Sequence, residues 1–348
     1  MNQADRPRVL AVCTGGGSGD LLAATPAMQA LARHFGRKLV VLASPLAAPL
    51  LEGHPAVETT LVDDGRQPVD EIAARLREFG FTHAVVFWST ARVAAIVARA
   101  GIPVRVGQSR RLYSWRYTLR VPVRTERGDT TSHWTDVQMD YARALGAQPS
   151  DSDYRIVVPV DANDQAQASE ILRRVAPDGR FVVFHAARGM RLDAVHWPVE
   201  SFAAIGDALA DAFGVPVLLT GTADEAPTIQ RIGDAMRRPH AVIAGETSLR
   251  GLAALLERAE VVVALDSGPM HIAAAVGAPT VGIFALRTDL PKRWRPLGDR
   301  VVVVEPSYAC PLWCRKETCK TFDCCRALDP AAIVSAARDA ARKTASVA

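Results

Sequence analysis

The chain has 348 residues, 49% of them hydrophobic and 22% charged, which is the balance of a folded enzyme with one large domain or two of ordinary size and excludes disordered, collagen-like and coiled-coil chains. The formal net charge of +4 is too small an excess to mark a nucleic-acid binder, so none is expected. No apolar run reaches the length of a bilayer span, and residues 1–8 are polar rather than the core of a signal peptide, so the expected location is the cytoplasm.

Short apolar runs alternate with helical-period segments along the whole chain. Strands are expected at 8–13, 38–43, 59–62, 82–87 and 103–106, followed by a helix at 134–145 that ends at Gly146. Residues 147–160 are small, polar and extended around Pro159, and read as a linker. The same alternation then restarts, with strands at 181–184, 215–219, 241–243, 261–264 and 280–284 and helices at 199–213, 225–236, 249–258 and 269–276. A cysteine-rich segment, 310–325, precedes a final helix at 330–343. Strands alternating with helices mean an α/β fold with parallel sheets. The expected division is 1–150, 151–328 and a C-terminal helix at 329–348, with ligands in a cleft faced by the strand-end loops of two Rossmann-like domains.

The first strand runs into Thr14-Gly15-Gly16-Gly17-Ser18-Gly19-Asp20, and a helix is expected to open with Thr25 as cap and Pro26 in its first turn. The glycine spacing differs from a dinucleotide fingerprint, no acidic residue ends the next strand, and no Gly-Lys-Ser/Thr follows. Nicotinamide, flavin and P-loop sites are therefore disfavoured. Asp20 reads either as a cap of the following helix or as a general base, and this turn alone does not separate the two roles.

Near the end of the second half, an apolar strand leads into Asp266-Ser267-Gly268-Pro269-Met270-His271-Ile272-Ala273-Ala274-Ala275 and then Gly277-Ala278-Pro279-Thr280-Val281. Free amides at Ser267, Gly268 and Met270 would suit a diphosphate, and the alternative is a well-capped core helix. This run resembles the most specific motif of glycosyltransferase family nine, the lipopolysaccharide heptosyltransferases. Gly19-Asp20-Leu21-Leu22 with Thr25-Pro26, Arg105-Val106-Gly107, His133, His196-Trp197-Pro198, and Gly221 with Glu225 look like its further landmarks. The resemblance implies the GT-B architecture, transfer of a sugar from a nucleotide diphosphate donor with inversion, and no catalytic metal. It implies Asp20 as the base that deprotonates the acceptor hydroxyl, Glu225 at the nucleotide ribose, Ser267, Gly268 and Met270 at the diphosphate, and Asp266 and His271 ordering that loop or contacting the donor. The implied donor is ADP-heptose and the implied acceptor a lipopolysaccharide core or other glycan. Where such enzymes resemble one another in a Lys before His-Trp-Pro, this chain has Val195; Arg188 or Arg191 is the candidate replacement at the diphosphate.

Arg105, Arg110, Arg111, Arg116, Arg120, Arg124 and Arg127 are interleaved with Tyr113, Trp115 and Tyr117. In such an enzyme Arg110, Arg111, Arg116 and Arg120, with Gly17, Ser18 and Gly19, are the candidates for binding an acidic glycolipid or other glycan acceptor, and for peripheral contact with the inner face of the inner membrane. Cys310, Cys314, Cys319, Cys324 and Cys325 form a candidate structural metal site, without the paired two-residue knuckles of most zinc sites, or else remain unligated thiols. The rival readings are a transferase of the same fold acting on a protein or small molecule, and a non-catalytic nucleotide-binding protein.

Overall fold

The computed structural model describes residues 6–187, 196–286, 289–308, 310–311, 314 and 318–343. The chain divides into two compact units, Met1–Pro159 and Val160–Ala348.

In the first unit six strands, β1 (Val9–Cys13), β2 (Leu39–Ala43), β3 (Val57–Val62), β4 (His83–Val86), β5 (Val104–Gln108) and β6 (Leu119–Val121), form one sheet in the order β3-β2-β1-β4-β5-β6. Every pair is parallel. The central strands β1 and β2 are buried at every position, which is why they read as unbroken apolar runs: a parallel sheet covered by helices has no wet face. Helices α1 (Ser18–Phe35), α2 (Val69–Arg77), α3 (Ala91–Arg99) and α4 (Trp134–Ala144) belong to this unit. Tyr117 is buried with its ring against Gly107, where a Cβ would fall 2.5 Å from the ring; the Arg105-Val106-Gly107 landmark thus marks a close approach that only glycine admits.

The second unit repeats the plan. Strands β7 (Val182–His185), β8 (Val217–Leu219), β9 (His240–Val242), β10 (Val262–Leu265), β11 (Thr280–Ile283) and β12 (Val301–Val304) pair in the order β12-β11-β10-β7-β8-β9. Its helices are α5 (Ala162–Val175), α6 (Val199–Phe213), α7 (Ala226–Ala235), α8 (Leu249–Glu257), α9 (Gly268–Ala275), the short α10 (Pro291–Trp294) and α11 (Asp323–Arg326), and α12 (Pro330–Arg342). The terminal α12 packs on α6 and β12, with Ile333, Ala336, Ala337 and Ala340 in the core of this unit. Counted within each unit, both sheets have the strand order 3-2-1-4-5-6 of a doubly wound fold. The order reverses between β1 and β4 and again between β7 and β10, and ligands of such sheets bind beyond the carboxyl ends of the strands that flank the reversal.

Three expectations need correction. The first helix opens at Ser18 with Gly17 as its N-cap, and Pro26 lies inside it. A proline there removes the donor to the carbonyl of Leu22, and the buried Thr25 hydroxyl donates to that oxygen instead, at 2.8 Å. The edge strands β6 and β12 were not among the expected strands: β6 is three residues among arginines, whereas β12 is the plain apolar run Val301–Val304. The linker is partly docked on the first unit: Asp153 pairs with Arg33, and Gln29 donates to the carbonyl of Arg155 at 2.7 Å.

Candidate functional site

At the reversal point of the first sheet, β1 ends in the glycine turn that carries Asp20, and β4 ends beside Trp88. The two loops meet: a Cβ on Gly15 would lie 2.0 Å from the Trp88 indole nitrogen, and one on Gly16, at φ +76°, would lie 2.4 Å from an Asp20 oxygen. Both glycines are required by contact, and Gly16 also by conformation. Gly17 caps α1, whose first turn holds Ser18, Gly19 and Asp20. The Asp20 carboxylate accepts from the Gly17 amide at 2.9 Å, so the capping role exists and fixes the side chain. Burial pushes the Asp20 carboxyl above the ordinary carboxylate value, against the lowering effect of the Gly17 and Asp20 amides. A held carboxylate with raised basicity at a strand end is equipped to take a proton. Burial, with the Asp20 charge beside it, also pushes the Cys13 thiol up, so it stays protonated.

Of the basic residues, Arg105 is structural, donating to the carbonyls of Arg116 at 2.7 Å and Ile102 at 2.5 Å. Arg124 forms a two-pronged pair with Asp140 at 2.6 and 2.8 Å. Arg110 donates to the Glu126 carbonyl at 3.1 Å, Arg116 lies 4.3 Å over the Trp115 ring, and Arg120 is exposed on β6. Arg111 lines a cavity of about 200 Å³ together with Trp88, Glu126, Gln138 and Tyr141. Between these arginines, Leu112 is fully exposed and Trp115 is 65% exposed.

In the second unit the loops after β7, β8 and β10 leave the same edge of the sheet. Ser267 is the N-cap of α9 but makes no side-chain cap bond; its hydroxyl donates to the Leu265 carbonyl at 2.8 Å. The Ser267 hydroxyl thus does not cap the first amides of α9, and helix starts of this kind can receive an anion. The Asp266 amide donates to Ile283 at 3.0 Å, which ties this turn to β11. Met270 is buried against Gly282, and His271 is buried edge-on to Trp294 at 6.4 Å between ring centres. Glu225 precedes α7 and accepts from the amide and hydroxyl of Thr222 at 2.8 and 3.0 Å. Beneath it, His185 at the end of β7 contacts the Thr220 hydroxyl at 2.9 Å. Burial pushes this imidazole down to about 4, against the upward pull of Glu225, so it is neutral near pH 7. Arg188 and Arg191 lie outside the described residues.

Among the described residues no group of three or more His, Cys, Asp or Glu side chains is placed to hold an ion. Cys310 makes thiol contacts with Cys314 and Cys324, and Cys314 with Cys319, so these thiols meet in succession. Cys324 and Cys325 are buried in the core of the second unit, beside Phe322. Burial pushes the Cys310 thiol up to about 12, whereas hydrogen bonds, first from Cys325, bring Cys324 down to about 7. The His-Trp-Pro landmark serves packing as well: Trp197 stacks on Phe202 and meets Phe322 edge-on, each at 5.1 Å.

Trp88, Glu126, Gln138, His185 and Thr220 were not singled out from the sequence. Only strand-end position could have found Trp88, His185 and Thr220; no sequence signal marked Glu126 or Gln138.

The sequence model of Glycosyltransferase family 9 (heptosyltransferase) matches residues 69–323. The lipopolysaccharide heptosyltransferase 3 of Escherichia coli is 31% identical over 109 residues, 30% of this chain and 31% of that protein; the match spans about a third of that relative's length. The fold is that of a glycosyl transferase family 9 protein from Veillonella parvula, with a TM-score of 0.81 at 19% identity over 96% of this chain and 97% of that one. It is also that of the E. coli ADP-heptose lipopolysaccharide heptosyltransferase II, with a TM-score of 0.78 at 19% identity over 96% and 98%.

Proposed function

Because the chain belongs to glycosyltransferase family 9, the heptosyltransferases, we propose that this glycosyltransferase moves a heptose from ADP-heptose to a hydroxyl of a lipopolysaccharide-type core glycan, with inversion. The observation that carries the reading is the half-buried Asp20, whose carboxyl is raised and whose position is fixed by Gly17 at the strand-order reversal. Asp20 takes the proton of the acceptor hydroxyl as that oxygen bonds to the anomeric carbon. The bond from this carbon to the diphosphate breaks, and its electron pair leaves with the nucleoside diphosphate. The first amides of α9, at Gly268 and Met270, stabilise the charge that grows on the leaving group. Arg188 or Arg191 supplies the positive charge that Val195 lacks, and Glu225 receives the ribose. Asp266 and His271 order the α9 turn. ADP-heptose is favoured by the heptosyltransferase kinship and by the donor named for the E. coli fold neighbour.

The acceptor falls to the first unit, where Arg110, Arg111, Arg116 and Arg120 attract an acidic, lipid-linked glycan. The exposed Leu112 and Trp115 among them fit the surface of the bilayer that carries it. Among the described residues no helix is long and apolar enough to cross a membrane, so this contact is peripheral. The test is a thermal-shift panel of ADP, GDP, UDP and ADP-heptose, since a ligand that binds only the folded state raises its apparent stability. Selective stabilisation by ADP and ADP-heptose, with heptose transfer to a core oligosaccharide that Asp20→Asn abolishes, is the expected result. A flat panel would leave a non-catalytic protein of the same fold.

A further inference from the structure

The cavity beside Trp88 has a chemistry of its own. It lies within the first unit, beyond the carboxyl ends of β4 and β5, and its walls include Trp88, Gln108, Arg111, Glu126, Gln138 and Tyr141. At about 200 Å³ it holds the volume of roughly seven waters at ~30 Å³ each, below the ~300 Å³ at which sites for drug-sized ligands begin. A nucleotide is too large for it, and a single sugar ring is of the right order.

Three of its buried polar atoms are acceptors without donors, in a wall that also holds Arg111 and the indole of Trp134. Both carboxylate oxygens of Glu126 and the amide oxygen of Gln138 are buried and have no hydrogen-bond partner in the protein. Gln138 is only 2% exposed. Buried acceptors without donors are costly and rare in folded proteins, and are tolerated where a ligand completes them. A ligand that satisfies three acceptors must bring donors, as sugar hydroxyls or a sugar ammonium do. A carboxylate or phosphate would instead meet Glu126 as a like charge. The aromatic wall supplies the apolar face on which a pyranose ring rests, and Tyr141, whose hydroxyl burial keeps protonated, adds to it. Trp88 also packs on Gly15, so one side chain links this cavity to the turn that bears Asp20.

We propose that the cavity is an acceptor subsite which takes one sugar ring presenting hydrogen-bond donors, with hydroxyls donating to Glu126 and Gln138 and the ring face against Trp88, and which rejects an acidic sugar. It rests on the acceptor role proposed for the first unit. It divides the labour there: Arg110, Arg116 and Arg120, outside the cavity, attract the acidic part of the acceptor, and the cavity, where Glu126 stands beside Arg111, reads a ring without acidic groups.

The experiment is saturation-transfer NMR on the full chain, with methyl mannopyranoside, methyl glucopyranoside and methyl glucuronide as probes and ADP affinity measured on the same samples. The wild type should bind a neutral glycoside and not the glucuronide. Gln138→Leu and Glu126→Leu should weaken the neutral glycoside about fivefold or more, as expected for a lost hydrogen bond to a buried acceptor. Glu126→Gln, which removes the charge and keeps the shape, should admit the glucuronide. Unchanged melting and ADP binding would confirm that the variants fold. Neutral binding unaffected by the Leu variants, equal binding of the glucuronide by the wild type, or no glycoside binding while ADP still binds would each overturn the subsite and leave the transferase reading standing. Loss of turnover in Asp20→Asn with glycoside binding retained would separate the base from the subsite.

Discussion

In the proposed mechanism Asp20 combines two roles that the sequence presents as alternatives. Its carboxylate closes the first turn of α1 through the Gly17 amide, and that bond is what holds a base still. Replacement by Asn keeps the shape and an acceptor for Gly17 but cannot accept the proton, so Asp20→Asn should lower turnover by about a hundredfold or more with ADP affinity nearly unchanged. Turnover within a few-fold of wild type in single-turnover assays would return Asp20 to capping alone. The pH profile follows from the direction of its shift. A base works when deprotonated, so kcat/KM should fall on the acid side with a limb above the ordinary carboxylate value, because burial raises Asp20. Stability has the opposite sense. A group whose folded value is raised stabilises the protein below its unfolded value and loses that contribution as pH rises through the folded one. Asp20→Asn should therefore melt higher than wild type at pH 7 and lose the advantage in acid; melting curves at both pH values decide it. Thr25 is a purely structural counterpart. Thr25→Val leaves the Leu22 carbonyl below Pro26 without its donor, at a cost of about 1–3 kcal/mol by urea denaturation, whereas Thr25→Ser should recover most of it.

At the scale of elements, Phe322 is the largest side chain by which the segment after the last strand enters the core, beside Cys324, Cys325 and Leu328. Phe322 adopts φ 49°, a left-handed conformation that a bulky residue rarely takes, and it is fully buried against Trp197. Burial outweighs a backbone strain of about 1–3 kcal/mol. Phe322→Ala should then cost about 3–5 kcal/mol in the unfolding of the second unit; a loss below about 1 kcal/mol would show that the cysteine segment docks by other means. This segment also shows where sequence reading ends. Buried parallel strands such as β1, β2 and β10 are apolar at every position and were legible as runs, as were helices bounded by Pro198 and Gly214 or by Asp329 and Pro330. The first helix was misplaced because Pro26 reads as a helix start, and only the Thr25 hydroxyl, a tertiary detail, explains its presence inside. β6 was missed because three residues among arginines carry no periodicity, and it pairs on one side only. Cysteine spacing left a structural metal and unligated thiols both open, and it carried no sign that Cys324 and Cys325 lie in the core. The Asp20 turn and the Asp266–His271 turn were visible because their glycines, prolines and small residues are dictated by backbone geometry. Glu126 and Gln138 were not, because what sets them apart is the lack of partners in a folded cavity.

At the scale of the whole molecule, two sheets of identical strand order give one chain two strand-end turns, one carrying the carboxylate proposed as the base and the other the helix start proposed for the diphosphate. A net charge of +4 is too weak to draw the protein to a membrane uniformly, so any attraction has to be local. The segment of the first unit's arginines has that locality: Arg110 and Arg111 precede the exposed Leu112, Arg116 lies over the exposed Trp115, and Arg120 is exposed on β6 nearby in the chain. Basic residues near an anionic surface contribute about 1 kcal/mol each within a Debye length of roughly 8 Å, and insertion of exposed apolar side chains adds to this. The protein should therefore co-sediment with vesicles containing phosphatidylglycerol and much less with pure phosphatidylcholine, and the difference should shrink as salt is raised. Leu112→Ser with Trp115→Ser should weaken vesicle binding about tenfold or more, since removing even one inserted apolar side chain forfeits about 1.5–3 kcal/mol, while transfer to a soluble core oligosaccharide stays near wild type. Transfer to the lipid-linked acceptor in vesicles should fall in the same variant. Equal binding to both kinds of vesicle, or a double variant that binds as well as wild type, would mean that these side chains do not meet the bilayer and that the arginines act on the acceptor glycan alone.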